Sequence, residues 1–403
     1  MRVALLGHNA ATHFIAQQLV KNPDVEVVHY GANENTEEAQ YRGVNIDRAD
    51  KRSFILEELK QPFDLIFPVT FLYQHWAELQ AALRGKAALF PSAELAMYEW
   101  SKVKAKPLFK QLGIPTPLHV VYDQPVLFEN FMNLKRPFVL KFDQDWRMGK
   151  QTIIVTDENV NEVFAELLEN GTKRHHPSFP PFHDQKFIVE DYLPGYEYTF
   201  QVLCNGRNFS YLGAARDYKR RFEGDVGFNT SSMGSYAPAM KVDGMVADYA
   251  SRILNHFADN GTPYVGILNL GILVHDKVPY LLEINTRVGC PEFQSSASLI
   301  LNDLADTLYN AVHNKSFVIA FSNEAAVSAR VVSKNYGVKP DKRPNPAVPP
   351  FITESLDGVD GRGYAVYTTV DKTVEAAANK LHNFLSTQDW GDYTYRTDIG
   401  ILP

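Results

Sequence analysis

Three polar residues interrupt an apolar stretch in the tract LLEINTRVGCPE (281–292). Glu283, Asn285 and Arg287 are each separated from the next by one residue. Alternate side chains of a β-strand share a face, so the spacing predicts that these three point one way while Leu282 and Ile284 point the other. A polar ligand is therefore expected at that face.

A carboxylate and an amide two residues apart offer hard oxygen ligands, which suit Mg²⁺ or Mn²⁺ better than zinc. A site with so few protein ligands leaves coordination positions for water and nucleotide phosphate. The guanidinium of Arg287 would neutralise charge that develops on a transferred phosphoryl group. Taken alone, the E-x-N-x-R pattern is weak, and an exposed strand face is its commoner interpretation.

The composition is that of a globular protein without a basic excess. The 403 residues are 45% hydrophobic and 22% charged, with a net charge of -7, so nucleic-acid binding is not expected. No apolar run approaches the roughly 20 residues that span a bilayer, and the amino terminus lacks the apolar segment of a signal peptide. Two cysteines, Cys204 and Cys290, fit a reducing compartment. We expect a cytoplasmic protein that does not bind membranes.

Strands and helices alternate near the amino terminus. RVALLG (2–7), VEVVHYG (25–31) and FDLIFPV (63–69) are predicted strands separated by helical or polar segments, which indicates an α/β lobe with a parallel sheet. A helix that begins near Ser92 or Ser101 is predicted to end at Gly113. Further on, EYTFQVLCNG (197–206) and NFSYLGAARD (208–217) predict antiparallel strands joined at an Asn-Gly turn.

Several tracts resemble the ATP-grasp ligases, and within them the glycinamide ribonucleotide synthetases. YLLEINTRVGCPEFQ (280–294) is similar to the metal-binding end of that family. The other similar tracts occur in the family's order; they are Ser101-Lys102 to Lys106 followed by LGIPTP (112–117), PFVLKFD (137–143), FIVEDYLPGYEYTF (187–200), ARDYKRRFEGDVGFNTSSMGSYAP (215–238) and YRTDIG (395–400). The resemblance covers nearly the whole chain.

The resemblance implies a mixed α+β protein with an ATP-grasp fold, an amino-terminal parallel-sheet lobe and a small carboxyl-terminal lobe. The implied boundaries are 1–95 for the amino-terminal substrate lobe, 96–185 and 186–322 for the two ATP-grasp subdomains, and 323–403 for the carboxyl-terminal lobe. It also implies two substrates, a carboxylate and an amine. The oligomeric state stays open between a monomer and a homodimer.

The resemblance also implies which residues bind ATP with Mg²⁺ or Mn²⁺. Glu283 and Asn285 would hold the metal. The residues expected at the nucleotide are Lys106, Lys141, Glu190, Asp191, Leu193 and Glu197. Lysines supply point charges for phosphate oxygens. A lysine on a helix, such as Lys106, ordinarily faces solvent, whereas Lys141 interrupts the apolar strand PFVLKFD (137–143).

The remaining implied residues act on the reacting groups. Arg287, Lys219 and Asp217 are expected in catalysis. The residues expected at the substrates are Gly7, His13, Asn229, Gly289, Pro291 and Glu292. The implied reaction phosphorylates a carboxylate with ATP, after which an amine attacks the acyl phosphate and releases phosphate. Such chemistry depends on positioning and charge neutralisation rather than on a nucleophilic triad.

The acceptor half departs from the family pattern. The stretch Gly7–His13 lacks the arginine and two of the glycines of the family's phosphate loop, although backbone N–H groups at that helix start are still expected to suit a phosphate. FPVTFL (67–72) lacks the family's carboxylate for ribose hydroxyls, and DWRMGK (145–150) replaces a glycine-rich lid. The sequence therefore leaves open a relative that joins a different amine or amino acid, and a nucleotide-binding protein without catalysis.

Two further features have competing interpretations. Cys290 stands where the family has an aspartate, and it is either a nucleophile or a small apolar substitute. The substitute is the simpler interpretation, because a thiolate needs a base or a cation beside it. His175, His176 and His183 could suggest a metal cluster, but their proline-rich context favours solvated histidines.

Overall fold

The computed structural model describes residues 1–31, 42–44, 51–143, 152–170, 186–239, 243–357 and 363–401. The lid tract 145–150 and the three histidines His175, His176 and His183 lie outside the described residues.

The amino-terminal lobe contains the predicted parallel sheet, with strand order β3-β2-β1-β4. Its strands are β1 (Arg2–Leu6), β2 (Glu26–Tyr30), β3 (Arg42–Val44) and β4 (Leu65–Pro68). The helices of this lobe are α1 (Ala10–Leu19), α2 (Lys51–Glu58) and α3 (Ala77–Ala82). The apolar face of α1, with Phe14 and Ile15, packs in one cluster with Val3 and Leu5 of β1.

Two helices follow the amino-terminal lobe. The sequence left open whether one helix starts near Ser92 or near Ser101, and the structure has a helix after each serine. Helix α4 (Ala93–Trp100) begins after Ser92 and α5 (Lys102–Gln111) begins after Ser101, and each serine accepts a backbone N–H of its own helix. Asp143 also accepts bonds from Ser101 Oγ and from the Val103 N–H. The amino terminus of α5 is thereby fixed to the end of the strand that carries Lys141.

A small antiparallel sheet follows, with strand order β5-β8-β6-β7. Its elements are β5 (His119–Asp123), α6 (Gln124–Asn130), β6 (Phe138–Phe142), β7 (Thr152–Val155), α7 (Val160–Asn170) and β8 (Lys186–Asp191). Aromatic residues fill its core, where the rings of Phe131 and Phe164 stack with centroids 5.2 Å apart.

A large antiparallel sheet runs in the order β15-β14-β9-β10-β13-β16-β18-β17, and β19 pairs with β16. Its strands are β9 (Tyr196–Asn205), β10 (Asn208–Asp217), β13 (Gly234–Ala237), β14 (Val265–His275), β15 (Val278–Asn285), β16 (Ala325–Ser333), β17 (Thr353–Leu356), β18 (Gly363–Asp371) and β19 (Tyr393–Thr394). Strands β9 and β10 meet at the predicted Asn-Gly turn, where Gly206 has a φ of 63°. Because β13 pairs with β16, the carboxyl-terminal strands extend this sheet.

The other elements surround the large sheet. Strands β11 (Arg220–Phe222) and β12 (Val226–Asn229) form a hairpin, and the helices are α8 (Asp243–Asp259), α9 (Glu292–Ala297), α10 (Leu304–Val312) and α11 (Val374–Ser386). Of the helices in the described part of the chain, none combines the length and the apolarity needed to cross a bilayer.

Strand β15 departs from simple alternation. The register between β14 and β15 shifts where Gly271 pairs with Glu283 and Ile272 pairs with Leu281. Leu282 is the extra residue, and it lines the same cavity as Glu283, so the prediction that Leu282 points to the opposite face is wrong. Beyond the shift alternation resumes, and Ile284 is buried in the core.

Candidate active site

A cavity of about 420 Å³ lies between the small and large antiparallel sheets and reaches the start of α1. It is lined by most of the residues that the sequence put forward. They are Lys141, Glu190, Asp191, Leu193, Glu197, Asp217, Lys219, Asn229, Glu283, Asn285, Arg287, Gly289 and Glu292. Residues far apart in the sequence thus meet in one cavity.

Four expected residues do not line this cavity. Lys106, Gly7, His13 and Pro291 are absent from its wall. Gly7 instead allows a close approach to Thr12, because a Cβ at this position would lie 2.2 Å from Thr12 Oγ1.

The metal-ligand candidates stand at the end of β15. The side chains of Glu283 and Asn285 both line the cavity, and Asn269 of β14 pairs directly across from Asn285 and also lines it. The Asn269 Oδ1 atom is buried and receives no hydrogen-bond donor from the described residues. Three hard oxygen ligands therefore lie along one edge of the cavity, which fits Mg²⁺ or Mn²⁺. Within the described ranges no group of three or more His, Cys, Asp or Glu residues is placed to hold a metal ion.

Arg287 lies just beyond β15 and is fixed by Glu99 of α4. Its Nε donates to Glu99 Oε1 at 2.8 Å, and its Nη2 donates to Asn285 Oδ1 at 3.2 Å. Glu99 Oε2 accepts the backbone N–H of Thr286 at 2.7 Å. The Glu99 carboxylate therefore fixes the positions of both the Thr286 backbone and the Arg287 guanidinium.

Cations surround Glu283. Burial alone would raise the pKa of its carboxyl, but Lys102, Lys219, Lys141 and Arg287 hold that pKa at about 2. The carboxylate is ionised at any working pH, as a metal ligand must be.

Glu190 of β8 joins the two lysines that were expected at the nucleotide. Its Oε1 lies 2.7 Å from Lys106 Nζ and its Oε2 lies 2.7 Å from Lys141 Nζ. Burial tends to raise the pKa of Glu190, but the two ammonium groups outweigh it and hold that pKa below its usual value. Burial and the neighbouring Lys141 lower the pKa of Lys106 to about 8. Lys106 is thus a buried partner of Glu190, whereas Lys141 also lines the cavity.

The end of the cavity near Asp191 and Leu193, which were expected at the nucleotide, has apolar walls. Val139 and Ile154 from the small sheet face Leu273 and Leu282 from the large sheet across the cavity. Such a slot between two sheets suits a flat aromatic base. Asp191 and Leu193 lie at the end of β8, and the backbone N–H of Asp191 already donates to Leu118 O at 2.9 Å.

Lys219 follows β10 and contacts two carboxylates. Its Nζ donates to Asp217 Oδ2, and it lies 3.9 Å from Glu197 Oε2. Asn229, at the end of β12, is buried and lines the same region. The hairpin turn beyond Lys219 is held by the carboxyl-terminal tail, since Arg396 Nη1 donates to Asp225 Oδ1 at 2.8 Å.

The amino terminus of α1 is occupied by the chain's own oxygen atoms. The N–H of Ala10 donates to Asp357 Oδ1 at 3.0 Å, and the N–H of Thr12 donates to Asn9 Oδ1 at 3.0 Å. Asp357 also pairs with Arg330, with 3.1 Å between Oδ2 and Nε. The expectation that this helix start suits a phosphate is therefore not met at Ala10 and Thr12.

His13 is a packing residue in this structure. Its Nδ1 accepts the N–H of Leu356 at 2.8 Å, which joins α1 to β17. Burial, with a smaller effect from His29, lowers the pKa of His13 to about 3. The ring is therefore neutral, and it is not aimed at the cavity.

Cys290 lines the cavity as a thiol. Arg330 Nη2 donates to its Sγ at 3.0 Å and Gln294 Nε2 donates at 3.4 Å. Burial raises the pKa of Cys290 although Arg330 opposes the shift. Because a nucleophilic cysteine needs a lowered pKa, the interpretation of Cys290 as a nucleophile is disfavoured, and its hydrogen bonds make it more than an apolar substitute.

Sequence reasoning missed several residues in the cavity wall. They are Lys102, Glu99, Asn269, Arg330 and Asp357. Asn269 had a signal of the kind that identified Lys141, since it interrupts the apolar strand ILNLG (267–271). No local sequence pattern identified Asp357, because its contact with Ala10 joins residues 347 positions apart.

Comparison with known families agrees with this geometry. Residues 100–293 match the family model described as the phosphoribosylglycinamide synthetase, ATP-grasp (A) domain. The matched range contains the small antiparallel sheet, strands β9, β10, β13, β14 and β15 of the large sheet, and the start of α9.

Whole-chain comparisons extend the likeness. A phosphoribosylamine–glycine ligase of Streptococcus suis is 28% identical, with 99% of each chain covered. The crystal structure of the phosphoribosylamine–glycine ligase of Thermotoga maritima is 25% identical, with a TM-score of 0.79 and coverage of 99% of this chain and 100% of that one. A biotin carboxylase from Campylobacter jejuni, 14% identical with a TM-score of 0.70 over 99% of this chain and 94% of that one, shares the fold.

Proposed function

We propose that this chain, an ATP-grasp ligase that resembles glycinamide ribonucleotide synthetases along its whole length, joins glycine to phosphoribosylamine. The products are glycinamide ribonucleotide, ADP and phosphate, a step of purine biosynthesis. The observation that carries the proposal is the meeting of Glu283 and Asn285 with Lys141, Lys219 and Arg287 in one cavity. A protein that only binds a nucleotide has no need of the metal ligands and the phosphoryl-transfer charges together.

The reaction proceeds in two steps. A carboxylate oxygen of glycine attacks the γ-phosphorus of ATP, and ADP leaves with the electron pair of the broken P–O bond. The amine then attacks the carbonyl carbon of the acyl phosphate, the C–O bond to phosphate breaks, and a proton leaves the nitrogen. Phosphorylation matters because a free carboxylate has a strongly basic leaving group, whereas phosphate leaves readily.

The chain's cations stabilise the charge that moves in these steps. Lys141, near the apolar slot, neutralises nucleotide phosphate, and Lys219 and Arg287 contact the transferred phosphoryl group. Because Glu99 fixes Arg287 before any substrate arrives, little reorganisation is needed during the reaction. Asp217 holds Lys219 in the same way.

The nucleotide and metal residues follow from the same walls. Asp191 and Leu193 offer backbone groups to the adenine edge, and Glu197 accepts hydrogen bonds from ribose hydroxyls. Glu283, Asn285 and Asn269 are the residues that would hold Mg²⁺, or Mn²⁺ in its place. When bound, the ion neutralises negative charge on phosphate oxygens.

A second candidate is a ligase that joins a different amine. The observation in its favour is Asp357, whose carboxylate takes the Ala10 N–H at the start of α1 and pairs with Arg330. The Ala10 N–H and the Arg330 guanidinium, which are donors suited to an anionic amine, are already paired with the Asp357 carboxylate. An uncharged or cationic amine suits the same surroundings better.

The test is product formation with each class of amine. The protein is incubated with ATP, Mg²⁺ and glycine, with phosphoribosylamine generated in situ, and the amide is detected by mass. Amide formed with phosphoribosylamine supports the leading proposal. ADP and amide formed only with an amine that carries no phosphate support the second candidate and overturn the first.

A further inference from the structure

Two carboxyl groups from different elements meet in the cavity. Glu292 is the first residue of α9 and Asp217 is the last residue of β10, and the charge of Asp217 acts on the Glu292 carboxyl group. Glu292 is 5% exposed and Asp217 is 6% exposed, yet both line the cavity. They are buried from bulk water but reachable by a bound substrate.

Glu292 Oε2 and Asp217 Oδ1 are buried and receive no hydrogen-bond donor from the described part of the chain. Two buried carboxylates in contact repel each other when both are ionised, so the pair holds one proton. Lys219 is ion-paired with Asp217 through Oδ2.

The surroundings of Glu292 bring its pKa close to neutral pH. Burial, and next the charge of Asp217, raise the pKa of Glu292 to about 8. The other charged or titratable groups that act on it are Lys219, Arg287 and Cys290. A group with such a pKa both accepts and releases a proton under working conditions.

Glu292 also lies beside a surface without a side chain. A Cβ on Gly289 would lie 3.0 Å from Glu292 Oε2 and 2.8 Å from Asn269 Nδ2. The carboxyl therefore lies near Gly289, and it also acts on Cys290, which accepts a hydrogen bond from Arg330. That is the acceptor end of the cavity, opposite the apolar slot.

We propose that Glu292, which lines the cavity together with Asp217, accepts the proton that the amine loses as the amide bond forms. The inference rests on the proposed function. In this step the amine nitrogen bonds to the carbonyl carbon, the C–O bond to phosphate breaks with its electron pair leaving on phosphate, and the N–H proton passes to the Glu292 carboxylate. Glu292 must first lose its own proton to solvent, so the role requires the ionised form.

Other groups in the cavity do not suit this role. The Asp217 carboxylate is already engaged in an ion pair with Lys219. Cys290 is a thiol that accepts a hydrogen bond from Arg330. Glu197 has Lys219 Nζ 3.9 Å from its Oε2, and the proposed function assigns it to the ribose hydroxyls.

The experiment separates the two chemical steps. ATP, Mg²⁺ and glycine are supplied with either phosphoribosylamine or hydroxylamine, a small and strong nucleophile that traps an acyl phosphate as a hydroxamate. Glu292→Gln is expected to keep hydroxamate formation within about threefold of wild type and to slow amide formation by about 10²–10⁴-fold. Glu292→Asp, which keeps a carboxyl group, is expected to recover part of the amide rate.

One control variant accompanies the experiment, and three outcomes would contradict the inference. Glu354→Gln removes another shielded carboxyl group, which accepts from Tyr367 outside the cavity, and both products are expected at the wild-type rate. Equal loss of hydroxamate and amide in Glu292→Gln would show a role in the first step or in folding and would overturn the inference, as would an unchanged amide rate. A wild-type protein that makes no hydroxamate from glycine would refute the proposed carboxylate substrate and this role with it.

Discussion

Lys141 Nζ lies 2.7 Å from Glu190 Oε2, and the other oxygen of the same carboxylate lies 2.7 Å from Lys106 Nζ. Three charged side chains are thus buried together beside the nucleotide end of the cavity. The carboxylate offsets the repulsion between two ammonium groups and fixes Lys141 at the cavity wall. Nucleotide phosphate must compete with Glu190 for Lys141.

Removing the charge of Glu190 should destabilise the fold. Glu190→Gln leaves two buried ammonium groups without their anion, and we expect the free energy of unfolding at pH 7 to fall by about 3–5 kcal/mol. Urea unfolding measures the change, with Glu324→Gln at an exposed position as the control. Because Glu190 is one of the groups that hold Lys106 in its charged form, its loss lowers the pKa of Lys106 further below about 8, and the deficit should shrink as the pH rises from 5 towards 8. A loss below about 1 kcal/mol at pH 7 would contradict this account.

Glu283 is the residue on which the metal site depends. Glu283→Gln keeps the shape but loses the charge, and we expect ADP formation with Mg²⁺ to slow by about 10²-fold or more. Asp276→Asn at the turn between β14 and β15 is the matched control and should retain activity. Thermal unfolding of both variants checks the fold. Turnover near the wild-type rate in Glu283→Gln would show that Glu283 is not a metal ligand.

Glu99 is expected to act through Arg287. Glu99→Gln weakens the bond to Arg287 Nε, and we expect kcat to fall about tenfold while KM for ATP changes less than about threefold. Steady-state kinetics measures both constants. Glu94→Gln, exposed at the other end of α4, serves as the comparison. A change confined to KM would indicate that Glu99 affects nucleotide binding instead.

The buried proton of Glu292 should appear in the pH dependence of stability. Because its pKa of about 8 lies above the ordinary value, the folded state binds more protons between about pH 4.5 and pH 8, and stability falls as pH rises through that range. Glu292→Gln mimics the protonated form, so we expect it to stabilise the protein by about 2–4 kcal/mol above pH 8 and far less at pH 5. Denaturant unfolding at the two pH values, with exposed Glu129→Gln as the control, measures the difference. An equal effect at both pH values would argue against a raised pKa.

Local patterns identified much of the fold and the cavity wall. The period-2 pattern of β15 put Glu283 and Asn285 on one face, and a lysine inside an apolar strand identified Lys141. The same pattern placed Leu282 on the wrong face, because a register shift adds one residue to the strand. The shift depends on pairing with β14, which the pattern does not show. The buried position of Lys106 escaped local reasoning as well, since only the fold brings Glu190 to the buried face of α5.

The acceptor end was the hardest part to predict. The contact between Ala10 and Asp357 joins the first helix to the end of β17, and neither residue carries a local pattern that marks it. Arg330 and Cys290 meet in the same way, from β16 and the loop after β15. Long-range contacts of this kind follow from sheet order, which the sequence alone did not provide.

The central claim is that the reaction passes through an acyl phosphate, and oxygen tracing tests it most directly. Glycine labelled with ¹⁸O in its carboxylate is incubated with ATP, Mg²⁺ and phosphoribosylamine, and the released phosphate is analysed by mass. The account predicts one ¹⁸O atom in the phosphate for each amide formed, because the carboxylate oxygen leaves with phosphorus. Unlabelled phosphate released with ADP would contradict it, since water rather than the carboxylate would then have received the phosphoryl group.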